Sequence, residues 1–144
     1  MTSDHTTYLL DIGVLIALTN SSHALHERAH RWFATIQSWG TTPLTETGYL
    51  RLMLSPRLMG GALRRADVLA ALTALRRLPG YAFIPDSSSL AKPVIDLVGL
   101  MSQRQVASAH LVNLAAPRGA VLATLDATIE QMLVPIDRQW VKVI

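Results

Sequence analysis

The sequence predicts an α/β domain built on a mostly parallel sheet. Three observations carry the prediction. Short apolar runs of strand length alternate with longer stretches of helical period. Proline- and glycine-bearing breaks separate them. The strand candidates are followed by helical stretches, the order of β-α-β units. The 144 residues hold one such domain, spanning residues 1–144, with no room for a second.

The elements follow in order. Tyr8-Leu9-Leu10 reads as a buried strand ending at Asp11. Val14 to Leu18 starts a short helix, stopped by Asn20-Ser21-Ser22. His23 to Gln37 is an amphipathic helix, with Leu25, Ala29, Trp32, Phe33 and Ile36 on one face and Ser22 as its N-cap. Gly40 to Leu44 is a second strand, followed by a helix from about Glu46 to Leu54. Pro56 and Gly60-Gly61 break the chain before a helix from Arg64 to Leu78. Tyr81 to Ile84 is a third strand, closed by Pro85-Asp86. A helix from about Ser89 to Gly99 is expected next, then one from about Ser108 to Ala116. Ala120 to Thr124 is a fourth strand ending near Asp126, and Trp140 to Ile144 a weaker last one.

Composition narrows the function classes. There are no cysteines, which excludes disulfides and thiolate metal sites. Met1 to Thr7 lacks the basic-then-apolar order of a signal peptide. No run approaches the roughly 18 apolar residues of a membrane span, so a cytoplasmic location is expected. Half the residues are hydrophobic and mean hydropathy is +0.30. So much apolar content in a short chain predicts a covered interface, and a homodimer is expected. The net charge is +3, and only Lys92 and Lys142 among the thirteen basic residues are lysines. The arginine surplus suits phosphate, because the guanidinium fork binds two oxygens at once. It is equally compatible with an acidic protein partner.

Ten carboxylates are present, and Asp11, Glu46 and Asp126 fall at strand-to-helix junctions. In a parallel sheet the carboxyl ends of the strands line one edge, where ligands bind. Acids gathered there repel one another unless a cation bridges them, and Mg²⁺ or Mn²⁺ is the hard ion such oxygens prefer. The other reading is helix capping, which also places acids at these positions.

Taken together, these segments resemble the VapC-type PIN domains. YLLDIGVLIAL at residues 8–18 resembles their opening strand and first acid. HALHERAHRWF at 23–33 resembles the next helix, and PLTETGYLR at 43–51 the segment bearing the glutamate. FIPD at 83–86, RQVASAHLVNLA at 104–115 and LATLD at 122–126 complete the order. The resemblance implies a PIN-like three-layer α/β/α fold and a metal-dependent endoribonuclease toxin of a type II toxin–antitoxin pair. It implies a site holding Mg²⁺ (or Mn²⁺), an RNA substrate, a cognate antitoxin and, commonly, a homodimer. Carried over by position, Asp11, Glu46 and Asp126 are the catalytic and metal-binding residues.

Two positions depart from the pattern. Gly13 stands where Asn, Ser or Thr is usual, and Ser108 stands where a further Asp is expected. Serine keeps the N-cap of the helix expected to start there. It removes a charge and a strong metal ligand. The expectation is weakened or absent nuclease activity. Asp86 and Asp96 are the acids placed to compensate. The alternative function is a degenerate PIN module that binds antitoxin or dimerises without cutting RNA.

Other motifs weigh less. His26-Glu27-Arg28-Ala29-His30 fits the zinc-protease signature H-E-x-x-H, with Glu46 as a third ligand. Leu25, Ala29, Trp32 and Phe33 mark the core face of that helix, which puts the histidines on its polar flank. His110 is a candidate general base. Arg51 and Arg104 are candidate phosphate guides. Arg76 and Arg77 suit the C-terminal dipole of their helix. Trp32 and Phe33 read as core rather than as base-stacking platforms. No P-loop, dinucleotide fingerprint or nucleophile elbow is present.

Overall fold

The computed structural model describes residues 5–144. Five strands form one sheet in the order β3-β2-β1-β4-β5, and every pairing is parallel. The strands are β1 (Thr7–Leu10), β2 (Ser38–Thr41), β3 (Tyr81–Phe83), β4 (Val121–Thr124) and β5 (Val141–Val143). The helices are α1 (Ile12–Thr19), α2 (His26–Phe33), α3 (Pro43–Met53) and α4 (Pro56–Met59), then α5 (Arg65–Arg76), α6 (Val106–Ala115) and α7 (Ala127–Met132). Short 3₁₀ turns cover Gln103–Gln105, Ala116–Arg118 and Pro135–Trp140.

The three layers follow from strand period. Successive side chains point to opposite faces, so Leu10 and Ala123 join one core while Leu9 and Leu122 join another. The first core takes α1, Ala29 of α2, Tyr49 and Met53 of α3, and Val68, Leu72 and Leu75 of α5. The last three recur at i, i+4 and i+7, the stripe of an amphipathic helix. The second core takes α6 and α7. With helices on both faces, the central strands are mostly apolar, with threonines at the carboxyl ends of β2 and β4. Trp32 packs edge-on against Tyr8, and Phe33 against Trp39, so both aromatics are core-side residues as expected. The turn into β3 passes so close to the Gln37 carbonyl that a side chain at Gly80 would collide with it, and Gly80 has φ +86°.

Four expected elements differ. The second strand, expected over Gly40 to Leu44, is Ser38–Thr41, because Thr42 caps α3 and Pro43 opens it. No helix spans 89–99. Pro93 removes a donor, and side chains from elsewhere take up the backbone: Asn113 Oδ1 accepts from Val94 N (2.8 Å) and Asp137 Oδ2 from Asp96 N (2.8 Å). Ile95 is thereby pinned into the second core without a helix. The helix expected over His23 to Gln37 spans only His26–Phe33, and Ser22 is not its cap. Asn20 Oδ1 accepts from Ser22 N (3.0 Å) and His23 Nδ1 from Leu25 N (3.0 Å), which holds the entry as turns. The Thr35 hydroxyl donates to Trp32 O (2.6 Å) and closes the far end. Finally, α6 begins at Val106, so Ser108 is its third residue rather than its N-cap. Gln105 Oε1 accepts from Met101 N and Ser102 N, which winds the chain into the helix early.

Asp137 is buried (7% exposed), and its bond to Asp96 N ties the irregular segment to the turn before β5. Asp137→Ala removes that part-buried bond and is expected to cost about 1 kcal/mol. Urea unfolding of the variant beside the parent measures it; an unchanged midpoint would show that the tie carries no stability.

Candidate active site

The carboxyl ends of the parallel strands bring Asp11, the start of α3 and Asp126 to one edge of the sheet. Asp11 follows β1 directly and caps α1, its Oδ1 accepting from Ile12 N at 2.8 Å. Its Oδ2 accepts from the Thr124 hydroxyl at 2.8 Å. The same Thr124 oxygen accepts from Asp126 N at 3.1 Å. One hydroxyl at the end of β4 therefore holds both acids in place. Asp126 caps α7, its Oδ1 accepting from the Thr128 backbone (2.9 Å) and hydroxyl (2.7 Å). Both capping and a functional cluster were open readings of these acids; Asp11 and Asp126 are caps that also face each other.

Burial raises the pKa of Asp11, and the nearby Asp126 charge raises it further. The bonds from Thr124 and Ile12 pull the other way without overcoming burial. Among the described residues every hydrogen-bond donor to these two acids is neutral. Oxygen donors of this kind are those that hard divalent cations prefer.

Glu46 lies in the first turn of α3 but its carboxylate is engaged elsewhere. Oε2 accepts from the Thr41 hydroxyl (2.5 Å) and the Tyr81 hydroxyl (3.4 Å). Oε1 pairs with Arg76 Nη1 at 3.3 Å. The Arg76 guanidinium sits over the Tyr81 ring at 5.0 Å and the Phe83 ring at 5.5 Å. Burial pushes the Tyr81 hydroxyl pKa up, so it remains a donor at neutral pH. Thus Asp11 and Asp126 are brought together and Glu46 is held to one side. Among the described residues no three acidic or histidine side chains form a metal-ligating group.

Arg76 is where the helix-dipole reading fell short. The residue ends α5 as expected, but its guanidinium reaches an acid thirty positions away. Thr124, Thr41 and Tyr81 were also missed. No local pattern marks them, beyond Thr41 and Thr124 being the last residues of strands that end at this edge.

The remaining candidates are placed as follows. Ser108 lies in the first turn of α6, partly buried. That helix returns to β4 and so starts at the carboxyl edge. Asp86 holds His110 Nε2 with both oxygens, at 2.8 and 2.9 Å, and Asp96 accepts from its own Val98 N at 2.9 Å. Arg51 and Arg104 are exposed and unpaired among the described residues. The H-E-x-x-H histidines serve packing: His26 Nδ1 donates to Ala17 O (2.7 Å) and His30 Nε2 to Leu18 O (2.8 Å). They satisfy carbonyls at the end of α1, which would otherwise lack donors.

Gly13 sits in the first turn of α1, and a Cβ built there meets nothing within 4 Å. Gly13→Ala is expected to stabilise the fold by about 0.5 kcal/mol through lower unfolded-chain entropy. A thermal melt checks this; a lower Tm would mean that the open space is filled in solution.

The fold and the sequence both have known relatives. No family model matches the chain. It is 41% identical over 122 residues to ribonuclease VapC38 of Mycobacterium tuberculosis, covering 83% of this chain and 84% of that one. It is 39% identical to VapC39 of the same species over 126 residues, 85% of this chain and 91% of that one. In three dimensions it resembles M. tuberculosis VapC20, described as a sarcin–ricin loop cleaving toxin (TM-score 0.58, 14% identity, 88% of this chain and 96% of that one). It also resembles VapBC2 of Rickettsia felis, solved on a promoter DNA fragment (TM-score 0.57, 8% identity, 95% and 98%). At these identities the structural likeness speaks for the fold, a parallel sheet between two helical layers. The sequence likeness, spread over most of both chains, makes this protein a member of the VapC ribonuclease family of PIN-domain toxins.

Proposed function

We propose that this protein is a divalent-metal-dependent endoribonuclease acting as the toxin of a toxin–antitoxin pair on cytoplasmic RNA. The observation that carries the reading is the Asp11–Asp126 pair. It sets a desolvated Asp11 against an exposed Asp126, both held by one hydroxyl at the ligand-binding edge of a parallel sheet, with only neutral hydrogen-bond donors among the described residues. Asp11 and Asp126 would hold Mg²⁺ or Mn²⁺, and Glu46 lies beside them on α3. The cation supplies Lewis acidity and positive charge for phosphodiester hydrolysis. The residues' own part is positional. Thr124 fixes the acids, while Thr41, Tyr81 and Arg76 fix Glu46. Exposed Arg51 and Arg104 supply charge for the RNA backbone.

A protein partner and self-association belong to the same proposal. Val98, Met101 and Ile136 are 70%, 83% and 73% exposed, a set of apolar side chains suited to being covered by another chain. Among the described residues no helix is long and apolar enough to cross a membrane.

Two features favour a second reading, a module that binds its partner without cutting. Ser108 supplies no charge, and Arg76 already occupies Glu46. RNA cleavage by the parent with Mn²⁺ or Mg²⁺, beside Asp11→Asn, separates the readings. Cleavage lost in Asp11→Asn supports the nuclease. No cleavage by the parent, with partner binding intact, supports the module.

A further inference from the structure

Next to the acidic edge lie two hollows that the acids do not use. The first, of about 560 Å³, has apolar walls from Leu44, Leu90, Val106 and Ala107, and a polar end where Asp86 grips His110. Leu44 is two residues before Glu46, and Ala107 directly precedes Ser108. The hollow therefore opens beside the site. The second, of about 380 Å³, has a polar side of Ser87, Ser88, Ser89, Lys92 and Arg118 against an apolar side of Val94, Leu114 and Pro117. The two share Ser88 and Ser89. No acid lines the second hollow. Arg118 there bonds only the Pro85 carbonyl (3.4 Å) and the Ser87 hydroxyl (3.2 Å), and Lys92 makes no side-chain bond among the described residues.

The chemistry of the two hollows is that of the two halves of a nucleotide. Flat apolar walls with a hydrogen-bonding end suit an unpaired base. Serine hydroxyls between two uncompensated cations suit a phosphate. We propose that together they form a subsite for one nucleotide of single-stranded RNA adjoining the cut, with its base against Ala107 and Val106 and its phosphate at Lys92 and Arg118. The inference rests on the ribonuclease reading and adds where the strand leaves the site. Asp86 orients His110, because its two oxygens fix the Nε2 proton and leave Nδ1 as the ring's other polar atom. Asp86 and His110, 28% and 18% exposed, remain reachable by the edge of a base.

The test is binding, measured by fluorescence anisotropy in chelator so that cleavage plays no part. The probes are a labelled eight-nucleotide single-stranded RNA and an abasic strand of the same length. The parent is expected to prefer the RNA roughly tenfold. Ala107→Phe, which fills the hollow from an exposed helix position, is expected to bind both probes alike. Lys92→Ala combined with Arg118→Ala is expected to reduce the slope of log affinity against log salt by about 0.7. Parent-like preference in Ala107→Phe, or a parent-like slope in the double variant, overturns the subsite while RNA binding itself stands. No preference for RNA over the abasic strand by the parent overturns it without any substitution. If the parent binds neither probe, the subsite is overturned, while the ribonuclease reading stands or falls on its own metal-dependent cleavage.

Discussion

Ser108→Asp is expected to raise metal-dependent RNA cleavage on the order of tenfold or more, with a matching gain in Mn²⁺ affinity. The position is the first turn of α6, at the edge where Asp11 and Asp126 meet. Asp11 and Asp126 alone give a cation two carboxylates, and Glu46 is held by Arg76. A further carboxylate changes both the charge and the number of oxygen ligands, the two quantities that set affinity for a hard ion. The substitution is also benign for the helix. An acid in the first turn lies near the positive end of the dipole, worth about 0.3–1 kcal/mol where exposed. A folding failure is therefore not expected to mask the result. Calorimetric titration with Mn²⁺ reads affinity independently of activity. If both affinity and cleavage stay at parent values, position 108 lies outside the site.

Asp11→Asn is expected to make the metal-free protein more stable at neutral pH while abolishing stabilisation by divalent cations. The sign follows from linkage. The folded-state pKa of Asp11 lies above its ordinary value of 3.8, chiefly because burial disfavours the charge. The folded state then binds more protons than the unfolded state between those two pKa values, so stability falls as pH rises through them. Asparagine carries no charge at any pH, keeps an oxygen for Ile12 N, and is relieved of the Asp126 repulsion. The difference in Tm between variant and parent is expected to vanish in acid, below the unfolded pKa, and to grow toward neutrality. Added Mn²⁺ reverses the order. A cation at a hundredfold excess over its Kd stabilises the parent by about 2.7 kcal/mol and the variant by far less. Melts across pH, with and without Mn²⁺, test both halves. A parent that stays the more stable in chelator would mean that the Thr124 and Ile12 bonds outweigh burial.

The sequence made the architecture legible wherever a local pattern and the tertiary outcome coincide. Tyr8-Leu9-Leu10 has no period-2 polarity because both faces are covered, and the run followed by Asp11 marks a parallel strand meeting a helix. The 89–99 segment misled because Leu90, Ile95 and Leu97 reach the second core without a helix, while Asn113 and Asp137, distant in sequence, take the backbone donors that a helix would have used. The same distance explains the site. Asp11 and Asp126 are visible as acids at strand ends. That Thr124 holds both, and that Arg76 holds Glu46, depends on contacts 113 and 30 positions apart. Helix propensity and capping rules act over a turn or two and carry no such information.

The two packing cores share no buried residue, and the sheet insulates one from the other. Yet Asp11 heads α1 of the first layer, and Asp126 heads α7 of the second. The acidic pair is therefore also a seam. The shared sheet already joins the two layers, and here a single threonine oxygen ties them again at its edge. Whatever neutralises the pair fastens one layer to the other, and whatever leaves it bare strains the same stitch. In this protein the chemistry of the edge also adds to the coherence of the sandwich.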